Sequence, residues 1–119
     1  MAFNENTVQR IRDYFQQKEV PFYEKKMFSG VCFMVDDKMC CASRIDKSAN
    51  EDFLLCRIGD EVYEKALEMH HVIPMEFTGK TMKGYIYVTE DGHKSTKDLS
   101  YWLQLCLDFN PLAKSSKKK

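Results

Sequence analysis

The sequence lacks the features that mark membrane proteins, disordered chains and strongly charged proteins. Its longest uninterrupted apolar run, Val31–Val35, is far shorter than the roughly 20 residues of a membrane-spanning helix. The opening residues, Met-Ala-Phe-Asn-Glu, have no signal-peptide pattern. Basic and acidic residues number 18 each, a balance that excludes both a disordered acidic chain and a strongly basic nucleic-acid binder. We therefore expect a soluble cytoplasmic protein without a membrane partner.

The cysteines are odd in number and include no Cys-x-x-Cys pair, which excludes a disulfide framework and a ribbon-type zinc site. Most of the five lie in apolar stretches, so we expect reduced thiols in the core. Cys40 and Cys41 are adjacent, and in a strand they would point to opposite faces, leaving one exposed and oxidisable. A thiol-based sensor or enzyme using Cys40 or Cys41 is therefore one alternative function.

Motifs of the common catalytic and cofactor sites are missing from the chain. There is no G-x-S-x-G, P-loop, G-x-G-x-x-G or H-E-x-x-H, and no carboxylate pair whose spacing fixes it near a histidine. His70 and His71 are neighbours and cannot share a helix face, and His93 is the only other histidine. We predict a protein that is not an enzyme and that holds neither a cofactor nor a metal.

The periodicity of apolar residues predicts three helices and six strands. Apolar residues spaced by three and four indicate a helix over Asn6–Glu19, a short helix after Asp60, and a last helix that starts at Ser95 or Thr96. That last helix is expected to bury Leu99, Trp102, Leu103, Cys106 and Phe109. Runs of alternating or continuous apolar residues, cut by polar turns, predict strands near 25–28, 31–35, 38–44, 53–58, 72–77 and 82–89.

This order of elements predicts an α+β fold, a two-layer sandwich in which helices pack on one face of an antiparallel sheet. Asp36 and Asp37 are expected to form a two-residue hairpin turn. Residues 1–113 are expected to form a single domain, with 14 basic and 18 acidic residues. The remaining residues, 114–119, are expected to form a flexible tail, and the alternative of nucleic-acid binding rests on its lysines, Lys114, Lys117, Lys118 and Lys119.

The segment 74–85 is the most unusual in the chain, because it combines two glycines, two lysines and large apolar side chains. Backbone N–H groups of a glycine-rich turn, with Lys80 and Lys83 beside it, could hold an anionic ligand or a partner carboxylate. In the structural explanation, Gly79 supplies a positive φ, Gly84 allows a close helix approach, and the lysines only aid solubility. The sequence leaves both explanations open.

Four blocks of the sequence resemble successive signature blocks of the TfoX/Sxy N-terminal domain family. They are MFSGVCFM at 27–34 followed by Lys38-Met39, LCRIG at 55–59, PMEFTGK at 74–80 and MKGYIYV at 82–88. The resemblance implies a sandwich similar to secretion chaperones, ordered helix, three strands, helix, two strands, helix. It also implies a bacterial regulator of natural competence, a coactivator beside the cyclic-AMP receptor protein. Full-length members carry a second, C-terminal helical domain, whereas only ten residues follow Phe109.

Together the residues and the resemblance predict a binding module that works through protein contacts. The expected partner belongs to the transcription machinery, and a homodimer through edge strands or helices is also possible. Lysine, glycine and methionine without catalytic geometry indicate the contact surface, which we assign to Arg57, Phe77, Lys80, Met82 and Lys83.

Overall fold

The computed structural model describes residues 3–27, 30–77 and 79–113, without the side chains of Met27 and Phe77. The helices and strands are α1 (Glu5–Gln17), β1 (Tyr23–Met27), β2 (Gly30–Val35), β3 (Lys38–Asp46), β4 (Glu51–Arg57), α2 (Asp60–Leu67), β5 (Val72–Phe77), β6 (Lys80–Val88) and α3 (Thr96–Phe109). One antiparallel sheet contains all six strands in the order β1-β2-β3-β4-β6-β5. The predicted α+β class is confirmed. In the described ranges, no helix is both long and apolar enough to cross a membrane.

Four strands precede α2, as the hydrophobic pattern predicts, and this is one more than the family resemblance implies. The short edge strand β1 pairs with β2 from Tyr23 to Met27. The sequence prediction places the start of β6 at Met82, whereas the strand begins two residues earlier, at Lys80. The extra residues pair only with the end of β5.

Side-chain caps fix where α1 and α3 begin. The Asn4 carboxamide oxygen accepts hydrogen bonds from the N–H groups of Asn6 and Thr7, at 2.9 and 3.3 Å. At the start of α3, the Ser95 hydroxyl accepts from the Asp98 N–H at 3.1 Å. Helix α2 differs, since it follows Gly59 and has no side-chain cap.

The three helices lie on one face of the sheet, which we call the helix-covered face. The large core on this face contains residues from every helix, among them Phe15 of α1, Tyr63 of α2 and Leu103 of α3. The opposite, helix-free face has a smaller buried cluster, to which the described helices contribute no residue. This cluster consists of Cys32, Met34, Met39, Ala42, Leu55 and Met75, with Met82, Tyr85 and Tyr87 packed against it.

A β-bulge in β3 changes which face the two adjacent cysteines occupy. Phe33 pairs with Cys41 and Met34 pairs with Met39, so Cys40 is an extra residue without a partner on β2. Cys40 and Cys41 therefore both belong to the core of the helix-covered face, where they are 1% and 0% exposed. The prediction that they point to opposite faces, with one exposed, is wrong because it assumed a regular strand.

The predicted hairpin turn joins β2 to β3 without a glycine. Asp36 and Asp37 both have positive φ, 57° and 62°, as a two-residue type I′ turn requires. The Tyr23 hydroxyl of the neighbouring strand donates a hydrogen bond to the Asp37 carboxylate at 2.8 Å. Aspartate tolerates this conformation better than most residues, which explains how the turn forms here.

Candidate functional site

The structure divides the predicted contact residues between two places. Arg57 is the last residue of β4 and pairs with Tyr85 of β6. Lys80 and Lys83 are exposed on the part of β6 that extends beyond the end of β4. Lys80 precedes Tyr85 by five residues, roughly 16 Å of extended strand, so the lysine and the arginine do not form one compact cluster. The side chain of Phe77 lies outside the described part of the chain.

Met82, the remaining predicted residue, is half-buried and packs against the cluster of the helix-free face.

The structural explanation for the two glycines of this hairpin is confirmed. Gly79 has a φ of +80° in open space, as a turn glycine does. Gly84 has a φ of +92°, and a Cβ there would lie 3.0 Å from the Asp60 carboxylate. Its carbonyl accepts hydrogen bonds from the N–H groups that precede α2, at 2.9 and 3.1 Å.

Two arginines lie over two tyrosines on the helix-free face, and we call these four residues the arginine–tyrosine surface. The Arg57 guanidinium is 5.5 Å from the ring centre of Tyr85, and that of Arg44 is 5.7 Å from the ring centre of Tyr87. Arg44 also donates to the Tyr87 hydroxyl at 3.4 Å. At these distances each guanidinium makes a cation–π contact with its ring.

Sequence reasoning identified Arg57 but missed the other three residues of this surface. Arg44 and Tyr87 are separated by 43 positions and meet only because β3 and β6 both pair with β4. The one available signal was the alternation in β6, where Tyr85 and Tyr87 flank the buried Ile86. Arginine, tyrosine and methionine are the residue types enriched at protein interfaces, and methionine adapts its shape to a partner.

A cavity of about 560 Å³ lies beside the end of β4, between the start of α2 and the end of α3. We call it the α2–α3 cavity; its lining residues are Arg57, Ile58, Asp60, Glu61, Val62, Leu105, Asp108, Phe109 and Leu112. Arg57 links it to the arginine–tyrosine surface, because its guanidinium also lies 5.9 Å from the ring centre of Phe109.

The sequence analysis did not find this cavity. It predicted that Phe109 is buried, whereas Phe109 is only half-buried and lines the cavity wall. A signal was present in the spacing of Leu105, Asp108, Phe109 and Leu112, a second stripe beside the buried stripe of α3. That stripe could not be assigned to a cavity from the sequence, because the opposite wall comes from the start of α2, and the position of α2 relative to α3 depends on the fold.

All five cysteines are buried and free, so the chain presents no exposed thiol. Hydrogen bonds from the thiols of Cys106 and Cys41 lower the pKa of Cys40. Burial raises the pKa of Cys106 and raises that of Cys32 to about 12. The exposed, oxidisable cysteine on which the thiol-sensor alternative depended is therefore not found.

Three buried polar residues connect α1, β4 and the segment before α3, and the sequence analysis did not predict their contacts. The Thr7 hydroxyl donates to the Asp52 carboxylate, and the ring Nε2 of His93 lies 2.9 Å from the Asp52 carbonyl oxygen. Burial raises the pKa of Asp52. His93 is only 1% exposed, so these contacts are closed to solvent.

Within the described ranges, no set of three histidine, cysteine or acidic residues is placed to hold a metal ion.

The two edge strands carry features that oppose pairing with another strand. Pro74 lies in β5, where it removes a backbone donor from the sheet edge. In β1, Lys25 and Lys26 are exposed, and charges on an edge strand discourage association. An edge-strand homodimer therefore has little support in this geometry.

Comparison with known proteins gives one family. The family model described as the TfoX N-terminal domain matches residues 13–110 of the 119. No curated protein and no solved structure matches the chain. The four lysines proposed to contact nucleic acid, at 114 and 117–119, lie outside both the matched range and the described residues.

Proposed function

The chain belongs to the TfoX N-terminal domain family, and from this premise we propose that it is a non-enzymatic regulatory module that acts by binding another protein. The family is one of competence-type regulators without a catalytic role. The proposed partner is a component of the transcription machinery. The proposed contact surface is the arginine–tyrosine surface together with Met82 and the exposed lysines of the β5–β6 hairpin.

The composition of the helix-free face is the observation that carries this proposal. Its buried cluster is rich in methionine, and half-buried tyrosines lie at its margin. Tyrosine buries a large area at little entropic cost, methionine adapts its shape to a partner, and both are enriched at protein interfaces. A partner could gain apolar contact there without opening the core beneath the helices.

The hairpin lysines supply the electrostatic part of the proposal. Lys80 and Lys83 are exposed on the section of β6 that projects beyond β4. Positive charges at the margin of an interface steer an acidic partner and raise its association rate. In this proposal Arg57 and Met82 supply the more central contacts, and the two lysines lie toward the margin.

The proposal can be tested with purified RNA polymerase and cyclic-AMP receptor protein from the same organism, each offered to the immobilised chain. The double variant Lys80→Glu with Lys83→Glu should reduce binding at least about tenfold, since four units of charge change at the contact. Its melting temperature should stay unchanged, because both side chains are exposed. The matched control is Lys65→Glu with Lys97→Glu, which makes the same charge change on the exposed sides of α2 and α3.

Full binding by the Lys80/Lys83 variant would refute this surface, and so would an equal loss in the control variant. Binding of neither purified protein would refute the proposed partner class. Binding that disappears after nuclease treatment and after deletion of residues 114–119 would instead support nucleic-acid contact through the lysine tail.

A further inference from the structure

The α2–α3 cavity is a second feature that the proposed protein contact does not use, apart from Arg57. Its volume of about 560 Å³ falls in the range of small-molecule sites, which are concave, mostly apolar and carry a few polar groups. Interfaces between proteins are broader and flatter than such a cavity. The volume of the cavity therefore suits a small ligand.

Apolar side chains from three parts of the fold form most of the cavity wall. They are Ile58 after β4, Val62 of α2, Leu105 and Phe109 of α3, and Leu112 in the 3₁₀ turn that follows. Leu112 is 75% exposed, the highest value among the exposed large apolar residues. An apolar ligand body would remove this leucine and the Phe109 ring from water, which is favourable.

The charges around the wall are mainly negative. Asp60, Glu61 and Asp108 contribute three carboxylates against the single guanidinium of Arg57. The Arg57 guanidinium lies against the rings of Tyr85 and Phe109. Acidic residues thus outnumber the basic residue of the wall by three to one, which favours a cationic ligand group.

The position of Asp108 adds an independent argument. It lies in the last turn of α3, where the negative end of the helix dipole disfavours a carboxylate. That turn contains no basic residue of its own. Lys38 donates to the Asn110 carbonyl just beyond the helix, at 3.1 Å, and leaves the Asp108 carboxylate to its hydrogen bond from Gln104. A bound cation would stabilise both Asp108 and this end of the helix.

We propose that the α2–α3 cavity binds a small organic cation, an ammonium or guanidinium group carried on an apolar body. The cationic group lies among Glu61, Asp60 and Asp108, and the apolar body packs on Leu105, Phe109 and Leu112. The face of the Phe109 ring adds attraction for the cation. This ligand site does not depend on the protein-binding function proposed above.

Three probes with the same aromatic body test the proposal: phenethylamine, 2-phenylethanol and 3-phenylpropanoate, titrated into the isotopically labelled full chain and followed by NMR. The amine should bind with a Kd of about 1 mM or lower, a strength typical of a ligand this small. Shifts should centre on the amides of Val62, Leu105 and Leu112. The alcohol should bind at least about fivefold more weakly, and the carboxylate more weakly still.

A pair of isosteric variants locates the charge requirement. Glu61→Gln with Asp108→Asn should weaken the amine about tenfold and leave the affinity for the alcohol unchanged. Glu64→Gln with Asp98→Asn is the control, because it removes one exposed carboxylate from each of the same two helices outside the cavity. Asp108→Asn alone serves if the double variant does not fold, with a smaller loss of amine affinity expected.

Four results of the probe titrations would overturn the proposal. They are no saturable amine binding up to about 10 mM, equal affinity for amine and alcohol, preferential binding of the carboxylate, and shifts centred away from the cavity. Preferential binding of the carboxylate would indicate instead that the cavity holds an anionic ligand through Arg57. An unaltered amine affinity in the Glu61/Asp108 variant would likewise remove the role given to the carboxylates.

Discussion

The two faces of the sheet reach similar burial by different means. On the helix-covered face, side chains of three helices close over aromatic, aliphatic and cysteine residues of the strands. On the helix-free face, strand residues such as Leu55 and Met75 are 0% and 1% exposed although the described helices add nothing to their cluster. Tyrosines and Met82 lie along the surface there and exclude water. Burial in a small domain therefore does not require a second layer.

The two faces differ in how easily their side chains can rearrange. Rings and branched side chains locked between two layers pack at the density of a crystal and tolerate little change. Methionine and tyrosine at the margin of a single layer can change rotamer at small cost. The helix-free face can therefore rearrange more readily, whereas the helix-covered face maintains the fold.

The sharpest test of this comparison uses two adjacent leucines of β4. Leu54 lies on the helix-covered face and Leu55 on the helix-free face, and both are 0% exposed. Leu54→Ala should lower the free energy of unfolding by about 4 kcal/mol, and Leu55→Ala by about 2 kcal/mol, because methionines can fill part of the second cavity. Urea denaturation at equilibrium measures both. Equal losses would remove the distinction between the faces.

A smaller difference is expected between two glycines that share a positive φ. Gly59 has a φ of +88°, and a Cβ there would overlap the ring of Phe109 in the helix layer. Gly79 has a φ of +80° in the hairpin, with nothing near a Cβ. Gly59→Ala should therefore cost about 3 kcal/mol and Gly79→Ala about 1 kcal/mol. Thermal unfolding of the two variants gives the comparison, and a Gly79→Ala cost as large as that of Gly59→Ala would contradict it.

The weakest expected effect concerns Asp52, buried on the helix-covered side with a raised pKa caused mainly by burial. The folded protein holds the Asp52 proton more tightly than the unfolded chain does. The free energy of unfolding should therefore fall as pH rises from the usual aspartate pKa through the raised one, and stay constant above it. Asp52→Asn should lack this contribution. Urea denaturation of both proteins between about pH 4 and pH 7 measures this difference. Parallel profiles of the free energy of unfolding against pH would contradict the prediction.

Local patterns were sufficient to predict most of the fold. The spacing of Val8, Ile11 and Phe15 defines the buried stripe of α1, and the apolar runs define the strands. The aspartate turn after Val35 was also predictable, because the apolar runs of two strands flank it.

Features that depend on contacts between distant residues were not predictable. The bulge at Cys40 depends on how β3 pairs with β2, and the sequence around it reads as a continuous strand. The α2–α3 cavity depends on the approach of Asp60 to Phe109, which are 49 positions apart. Arg57 was assigned to the contact surface from the sequence, but its contacts with two rings from different layers appear only in three dimensions.

The bulge in β3 also determines where this strand can change length. Cys40 is the residue without a partner, so its removal would restore a regular ladder and leave Met39 and Cys41 on their present faces. Removal of Ala42 instead would exchange the faces of the residues beyond it. A strand buried in the middle of a sheet thus contains one position at which a single-residue deletion conserves the pattern of inward and outward side chains.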